Sequence, residues 1–193
     1  LRSLSQEVGQ LERLVADLRL LSQSDAGALE VQLAPLDLGE QLATRLDEAE
    51  GWLADHGLTL EHDIQDPAWI RGDLQRLRQL WNNLIDNTCA YTQAPGRLKV
   101  SLRREADDWV LRWEDSAPGV PVNELPRLTE RLYRVEGSRN RSSGGSGLGL
   151  SIATALARAH DTDMRPSPSE LGGLCWTLRF PALPDHQQHE DDE

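Results

Sequence analysis

The chain has 193 residues, a formal net charge of −12, 38% hydrophobic and 27% charged residues, and two cysteines. That length supports one good-sized core domain plus a smaller element. No stretch approaches the roughly 20 apolar residues that span a bilayer and nothing has the layout of a secretion signal, so a soluble piece is expected. The acidic balance argues against a general nucleic-acid surface, which is ordinarily basic. Cys89 and Cys175 lie in apolar stretches without metal-ligand spacing and read as buried, reduced thiols in a reducing compartment.

The chain opens on Leu1 inside an amphipathic pattern, so we expect a fragment of something longer. Over residues 1–24, Leu1, Val8 and Val15 occupy one heptad position and Leu4, Leu11 and Leu18 the other. Leu14 and Leu21 widen this stripe beyond a two-stranded seam, as a four-helix bundle requires. The stripe also fits a surface helix lying on its own domain, although its width favours a bundle or dimer. The pattern breaks at Ser22–Gly27, a linker. Residues 25–36 are expected to hold this linker and a first strand, because Leu29 to Leu33 alternates. Asp37 is placed to cap a helix running to about Asp55.

Leu58 to Ile64 alternates again, and Trp69-Ile70 reads as a short strand. Asp73 caps a helix that runs through Leu77, Leu80, Trp81, Leu84 and Ile85 to about Tyr91. Leu98 to Arg104 and Trp109 to Trp113 form a hairpin around Glu105–Asp108. Residues 116–147 are rich in Pro, Gly, Ser and Arg, and a loop that long inside a compact domain is usually functional. A helix over 148–160 and a closing strand from Cys175 to Phe180 complete a domain over 37–182. The acidic tail 183–193 is expected to be disordered. Helices and strands mix without strict alternation, which predicts an α+β sandwich.

Four features carry chemistry. Gly144-Gly145-Ser146-Gly147-Leu148-Gly149-Leu150 opens directly into a helix, which suits a phosphate chain at the positive end of the helix dipole, or else a plain flexible linker. Asn83 and Asn87 share one helix face and offer hard amide oxygens to Mg²⁺, or form an ordinary polar face. Asp115 ends a strand before Pro118-Gly119, where its carboxylate can accept from an adenine amino group while Gly119 lets the base approach. A common β-turn with Asp at its start fits as well. Arg134, Arg139 and Arg141, just before the glycine run, compensate triphosphate charge or form a solvated basic loop.

Taken together and in order, these motifs resemble the ATP-binding domain of sensor histidine kinases of two-component systems. Asn83 to Tyr91 looks like the N box, Asp115 to Gly119 like the first glycine box, and Gly145 to Gly149 like the second. Leu128 to Arg134 resembles the aromatic box, Gly172-Gly173 with Trp176 to Phe180 the final strand, and residues 1–24 the second helix of a dimerisation hairpin.

The resemblance covers about residues 1–182 and implies a two-layer α/β sandwich of the histidine-kinase/GHL ATPase (Bergerat) type, preceded by one amphipathic helix. It implies ATP and Mg²⁺ as cofactors, with Asn87 as the metal ligand and Asn83 assisting at the phosphates. Asp115 would read the adenine beside Gly119 and Val120, and Tyr91 and Leu150 would wall the pocket. Gly145, Ser146, Gly147, Leu148 and Gly149 would hold phosphate, Thr177 would reach the site from the final strand, and 119–147 would be the ATP lid. It further implies a homodimeric kinase at an inner membrane, with this portion cytoplasmic, passing phosphate to a histidine and then to a response regulator.

Some positions depart from the family pattern. Ala90 stands where a Lys or Arg usually precedes the aromatic, and Ala117 where Gly is usual. Thr129 and Leu132 stand where Phe is usual, which predicts a loosely anchored lid. Residues 161–168 contain two prolines and suit an edge strand or loop rather than a central strand. No phosphoacceptor histidine is expected within the chain. His62 has a proline five positions on, but it lies in the alternating stretch 58–64 and reads as a solvent-facing strand residue. His56, His160, His186 and His189 lack the motif. The expected protein therefore binds Mg-ATP without phosphorylating itself. The alternatives are a GHL-type ATPase, for which Asp86 is the one acid near the asparagines, and an interaction module without nucleotide.

Overall fold

The computed structural model describes residues 4–133 and 147–184. Helix α1 (Leu4–Asp25) leads through an irregular segment to β1 (Ala34–Asp37), α2 (Leu38–Asp55), β2 (Leu58–Ile64), β3 (Trp69–Gly72) and α3 (Leu74–Tyr91). The hairpin β4 (Gly96–Glu105) and β5 (Asp108–Ser116) follows, then a short 3₁₀ turn at Leu125–Arg127, α4 (Gly149–Arg158), β6 (Arg165–Pro168) and β7 (Gly172–Pro181). Five strands form one mixed sheet in the order β2-β4-β5-β7-β6, parallel only at β2–β4, while β1 and β3 pair separately.

The two layers follow from alternation on the pleat. Leu98, Val100 and Leu102 on β4, Trp109, Leu111 and Trp113 on β5, and Leu174, Trp176, Leu178 and Phe180 on β7 join one core with Leu42, Leu46, Leu80, Leu84 and Ile152 of the helices. The opposite face carries exposed Arg97, Lys99, Arg103, Arg112 and Arg179. Trp81, Trp113 and Trp176 are fully buried. The Trp113 indole N–H donates to Thr88 Oγ1 at 3.0 Å, but those of Trp81 and Trp176 find no acceptor among the described residues. Burying an indole contributes about 4–6 kcal/mol of transfer free energy, against about 1–3 kcal/mol for the unmade bond. Burial wins.

Both central helices start where their caps predict. Asp37 Oδ1 accepts from Gly39, Glu40 and Ala68 N–H, so one carboxylate caps α2 and pins the approach to β3. Asp73 Oδ1 caps α3 through Arg76 N–H, while its Oδ2 takes Gln32 N–H. That second bond explains one correction to the sequence reading. Residues 29–33 form no strand, since Gln32 N–H goes to Asp73 and Leu33 C=O goes to the Arg71 guanidinium. These groups are satisfied by side chains, and pairing starts only at Ala34. At the other end β6 pairs with β7 alone, so the prolines of 161–168 sit on an edge strand. His62 lies on the inward row of edge strand β2, opposite Val100, and reaches Asp47 of α2 while staying exposed. The expected solvent-facing residue is thus exposed but sits on the helix side of the sheet.

The broad stripe of α1 splits in two. Leu20 and Leu21 are buried in the domain core, with Leu14 packed against it, whereas Val8, Leu11, Val15 and Leu18 are 52–65% exposed. The residues that widen the stripe thus serve packing on the chain's own domain, and the remaining seam is narrow.

His160 is 2% exposed and ties α4 to the start of α3. Its Nε2 accepts Asp73 N–H at 3.0 Å, and its Nδ1–H donates to Leu156 C=O at 2.8 Å. Only the tautomer with its proton on Nδ1 satisfies both. Replacing it, His160→Ala, leaves a cavity and an unpaired N–H, so a loss of about 2–4 kcal/mol is expected in urea unfolding. His160→Gln should restore part of that loss.

Candidate functional site

The site is built along α3. Asn83, Asn87 and Tyr91 recur every four residues and so line one face, a span of about 12 Å. At its near end the Asn83 amide is oriented by its own helix, because Nδ2 donates to Gln79 C=O at 2.8 Å. Its Oδ1 is left beside the first residue of α4, where a Cβ on Gly149 would lie 3.1 Å away. Glycine there lets the positive end of α4 come up against Asn83. Just before it, Gly147 holds φ +71°, and a Cβ on it would sit 3.2 Å from Leu132 Cα. Its carbonyl accepts Leu132 N–H at 3.1 Å.

At the far end α3 meets the last residues of β5, with Gln93 N–H donating to Ala117 C=O at 3.0 Å. Asp115 occupies the next inward position after Trp109, Leu111 and Trp113, and only 5% of it is exposed. Its Oδ1 accepts Leu174 N–H at 2.7 Å. Burial raises the carboxyl from its ordinary 3.8 to about 6, partly offset by that N–H. The approach of β7 depends on glycine. A Cβ at Gly173 would fall 2.2 Å from Asp115 Oδ1 and 2.5 Å from Ser116 O, at a point where the β5–β7 register shifts. Gly172 has φ +95°, and a Cβ at Gly119 would lie 3.0 Å from its carbonyl.

The structure therefore brings Asn83, Asn87, Tyr91, Gly147, Leu148 and Gly149 along one edge, with Asp115 and Gly119 at its end. Val120 and Leu150 are half-buried against the core beside them. Tyr91 is 37% exposed. Among the described residues the Asn87 amide makes no hydrogen bond, and no cluster of three His, Cys, Asp or Glu can cage a metal ion. One amide oxygen fits a Mg²⁺ ion that keeps waters and phosphate oxygens as its other ligands. Arg134, Arg139, Arg141, Gly145 and Ser146 lie outside the described residues.

Thr177 is a correction. It pairs with Arg112 on the outer row of the sheet and contacts Cys175 on the same side, whereas Asp115 faces inward. The alternation of apolar Leu174, Trp176, Leu178 and Phe180 already assigns Thr177 to the other face. Missed residues are Gly173, which makes room for Asp115, and Thr88, which holds Trp113 beneath it. The Gly-Gly pair before an apolar strand is the signal for the first; nothing in the sequence marks the second. The loop's first end is anchored by buried Leu125 and Leu128 and by the Arg127 guanidinium 4.1 Å over the Tyr133 ring. The Leu132 side chain is 69% exposed, and that residue is held through its backbone N–H to Gly147 C=O, while residues 134–146 of the expected lid lie outside the described residues.

A family profile described as histidine kinase-, DNA gyrase B- and HSP90-like ATPase matches residues 72–184. The chain belongs to this family. Over 186 residues, 96% of its length, it is 43% identical to the signal transduction histidine-protein kinase BaeS of Escherichia coli strain K12. It is 34% identical over 96% of its length to histidine-protein kinase AfsQ2 of Streptomyces coelicolor. The chain spans 40% of BaeS and 33% of AfsQ2. In structure it is similar to the Acinetobacter baumannii histidine kinase AdeS, with TM-score 0.76 and 25% identity, covering 95% of this chain and 84% of that one. It also shares its fold with full-length ShkA solved in complex with AMPPNP, at TM-score 0.74 and 24% identity over 90% of this chain and 36% of that one.

Within this ATPase family Asp86 bears on which chemistry the asparagine helix supports. It lies on the side of α3 that carries Asn82, whose Oδ1 accepts from Arg45 at 2.7 Å. The guanidinium groups of Arg45 and Arg13 and the His56 ring are its neighbours. It is thus turned toward α1 and α2 rather than along the Asn83–Asn87 edge.

The buried Asp115 gives two expected outcomes. Its carboxyl binds a proton more readily when folded, so its contribution to stability is fully present below about pH 4 and is lost as pH rises through about 6. The difference is about 3 kcal/mol, and Asp115→Asn should flatten that limb of the pH–stability curve in urea titrations. Gly173→Ala should cost at least about 2 kcal/mol, since its methyl meets a carboxylate and two backbone oxygens rather than a flexible side chain.

Proposed function

We propose that this domain binds Mg-ATP along α3 and serves as the catalytic part of a two-component sensor histidine kinase. The observation that carries the reading is the Asn83–Asn87–Tyr91 line. It joins the N-terminus of α4 to the buried Asp115 over about 12 Å, on the order of the distance from triphosphate to base. The amides at the start of α4, with Asn83, would take the phosphates. Asp115 Oδ2 would accept from the adenine amino group while Leu174 N–H holds Oδ1. Tyr91 and Leu150 would flank the base, and Gly119 admits it.

Asn87 would hold Mg²⁺, which when bound neutralises phosphate charge and orients the chain. The protein supplies position and electrostatics rather than a covalent group. A histidine nitrogen from outside this chain would attack the γ-phosphorus, the bond to the β–γ bridging oxygen would break, and ADP would leave. The phosphoryl group would then pass to a response regulator. The exposed α1 seam of Val8, Leu11, Val15 and Leu18 supports pairing with another helix in a homodimer. We place the domain on the cytoplasmic side of an inner membrane, attached through segments outside these 193 residues. Asp86, turned toward α2, gives little support to a water-activating ATPase.

Calorimetry with a non-hydrolysable ATP analogue tests the binding reading. We expect heat for the wild type, none for Asp115→Asn up to millimolar ligand, and an affinity that drops below about pH 6 as Oδ2 becomes a donor. Silence from the wild type would falsify the nucleotide site. Mixing the domain with a separate histidine-bearing helical hairpin and labelled ATP tests the transfer. Label should reach the hairpin, remain absent from this chain, and be unaffected by Asp86→Asn.

A further inference from the structure

The last turn of α1 is joined to the phosphate end of the site by one side chain that no part of the binding reading uses. The Arg131 guanidinium donates from Nη2 to Leu21 C=O at 3.3 Å and to Asp25 Oδ1 at 2.5 Å. Its neighbour Leu132 donates its N–H to Gly147 C=O, and the Leu132 backbone is what a Cβ on Gly147 would strike at 3.2 Å. Two residues later Gly149 packs against Asn83. A continuous path thus runs from α1 through Arg131, Leu132 and Gly147 to the start of α4.

We infer that Arg131 is a positioning residue that clamps α1 to the phosphate cradle, so that the placement of α1 sets the affinity for the phosphate chain. The inference rests on the nucleotide reading above. An exposed ion pair by itself contributes little, about 0.2–1 kcal/mol. Arg131 differs in holding two acceptors on one helical turn whose Leu20 and Leu21 are already fixed in the domain core. Its energy therefore goes into orientation rather than into ordering two free side chains. Asp25 lies seven residues after Leu18 and so continues the exposed seam's own face, which puts the clamp at the C-terminal end of that seam, next to any helix that pairs along it. A shift or rotation of α1 imposed by that partner is passed to Gly147 through three consecutive links.

The test compares wild type, Arg131→Ala, Asp25→Ala and the double variant, with two ligands followed by NMR titration: a non-hydrolysable ATP analogue and adenosine. Arg131→Ala should weaken the analogue about fivefold, equivalent to a coupling near 1 kcal/mol, and change adenosine less than about twofold. Asp25→Ala should do the same in part, and the double variant should be no worse than Arg131→Ala alone. Amide hydrogen exchange at 147–150, measured without ligand, should speed up in both single variants. Equal losses for both ligands would show general loosening and overturn the inference, as would unchanged exchange at those amides. If the wild type binds neither ligand, the nucleotide reading and the affinity claim fall together, and the exchange result alone decides the clamp.

Discussion

The hydrogen bond from Leu174 N–H to Asp115 Oδ1 is the contact around which the site is arranged. A carboxylate at an inward sheet position, following three apolar ones, costs free energy unless something meets its charge. Here a single backbone N–H does so, and burial still drives the carboxyl up to about 6. That the bond forms at all depends on Gly173, since any side chain there would occupy the space of the carboxylate. The strand shifts register to pass, and Gly172 and Gly119 follow as further points of close approach. A cluster of glycines and a strained charge are thus two sides of one packing solution, which leaves one carboxylate oxygen for a ligand.

Helix α3 converts this into a site with length. Asp73 and His160 set where α3 begins, and the contact with Ala117 sets where it ends. Between them the four-residue recurrence of Asn83, Asn87 and Tyr91 follows from helix geometry alone. The second end is made by α4, whose first glycine lets its positive terminus reach Asn83. In the proposed reading neither end would recognise a nucleotide alone. A phosphate cradle is common to many folds, and a buried carboxylate can be merely structural; their separation along one rigid helix joins them.

Much of this was legible in the chain. Asp37 and Asp73 were readable as caps because a cap needs only local geometry, and the strand over 58–64 and the hairpin were readable from alternation. Thr177 falls on the outer face because the pleat alternates it with inward Trp176 and Leu178, a parity that a motif match by itself does not carry. Residues 29–33 alternate but make no strand, since their partners turned out to be the side chains of Asp73 and Arg71. The two faces of α1 were not separable by periodicity. Leu14 and Leu21 look like bundle positions in any helical projection, and only the docked domain shows that they are already covered.

By itself the sequence determined what depends on neighbours along the chain: the helices and their caps, the pleat parity, the asparagine spacing and the glycine run. Such features are set by steric and hydrogen-bonding preferences within a few residues. Only the tertiary structure decided that Gly173 makes room for Asp115, that Thr88 holds Trp113, that Asp86 faces α2 and that Arg131 ties α1 to Gly147. Each of these joins residues far apart in the chain, and the energy of such a contact exists only once packing has closed the distance.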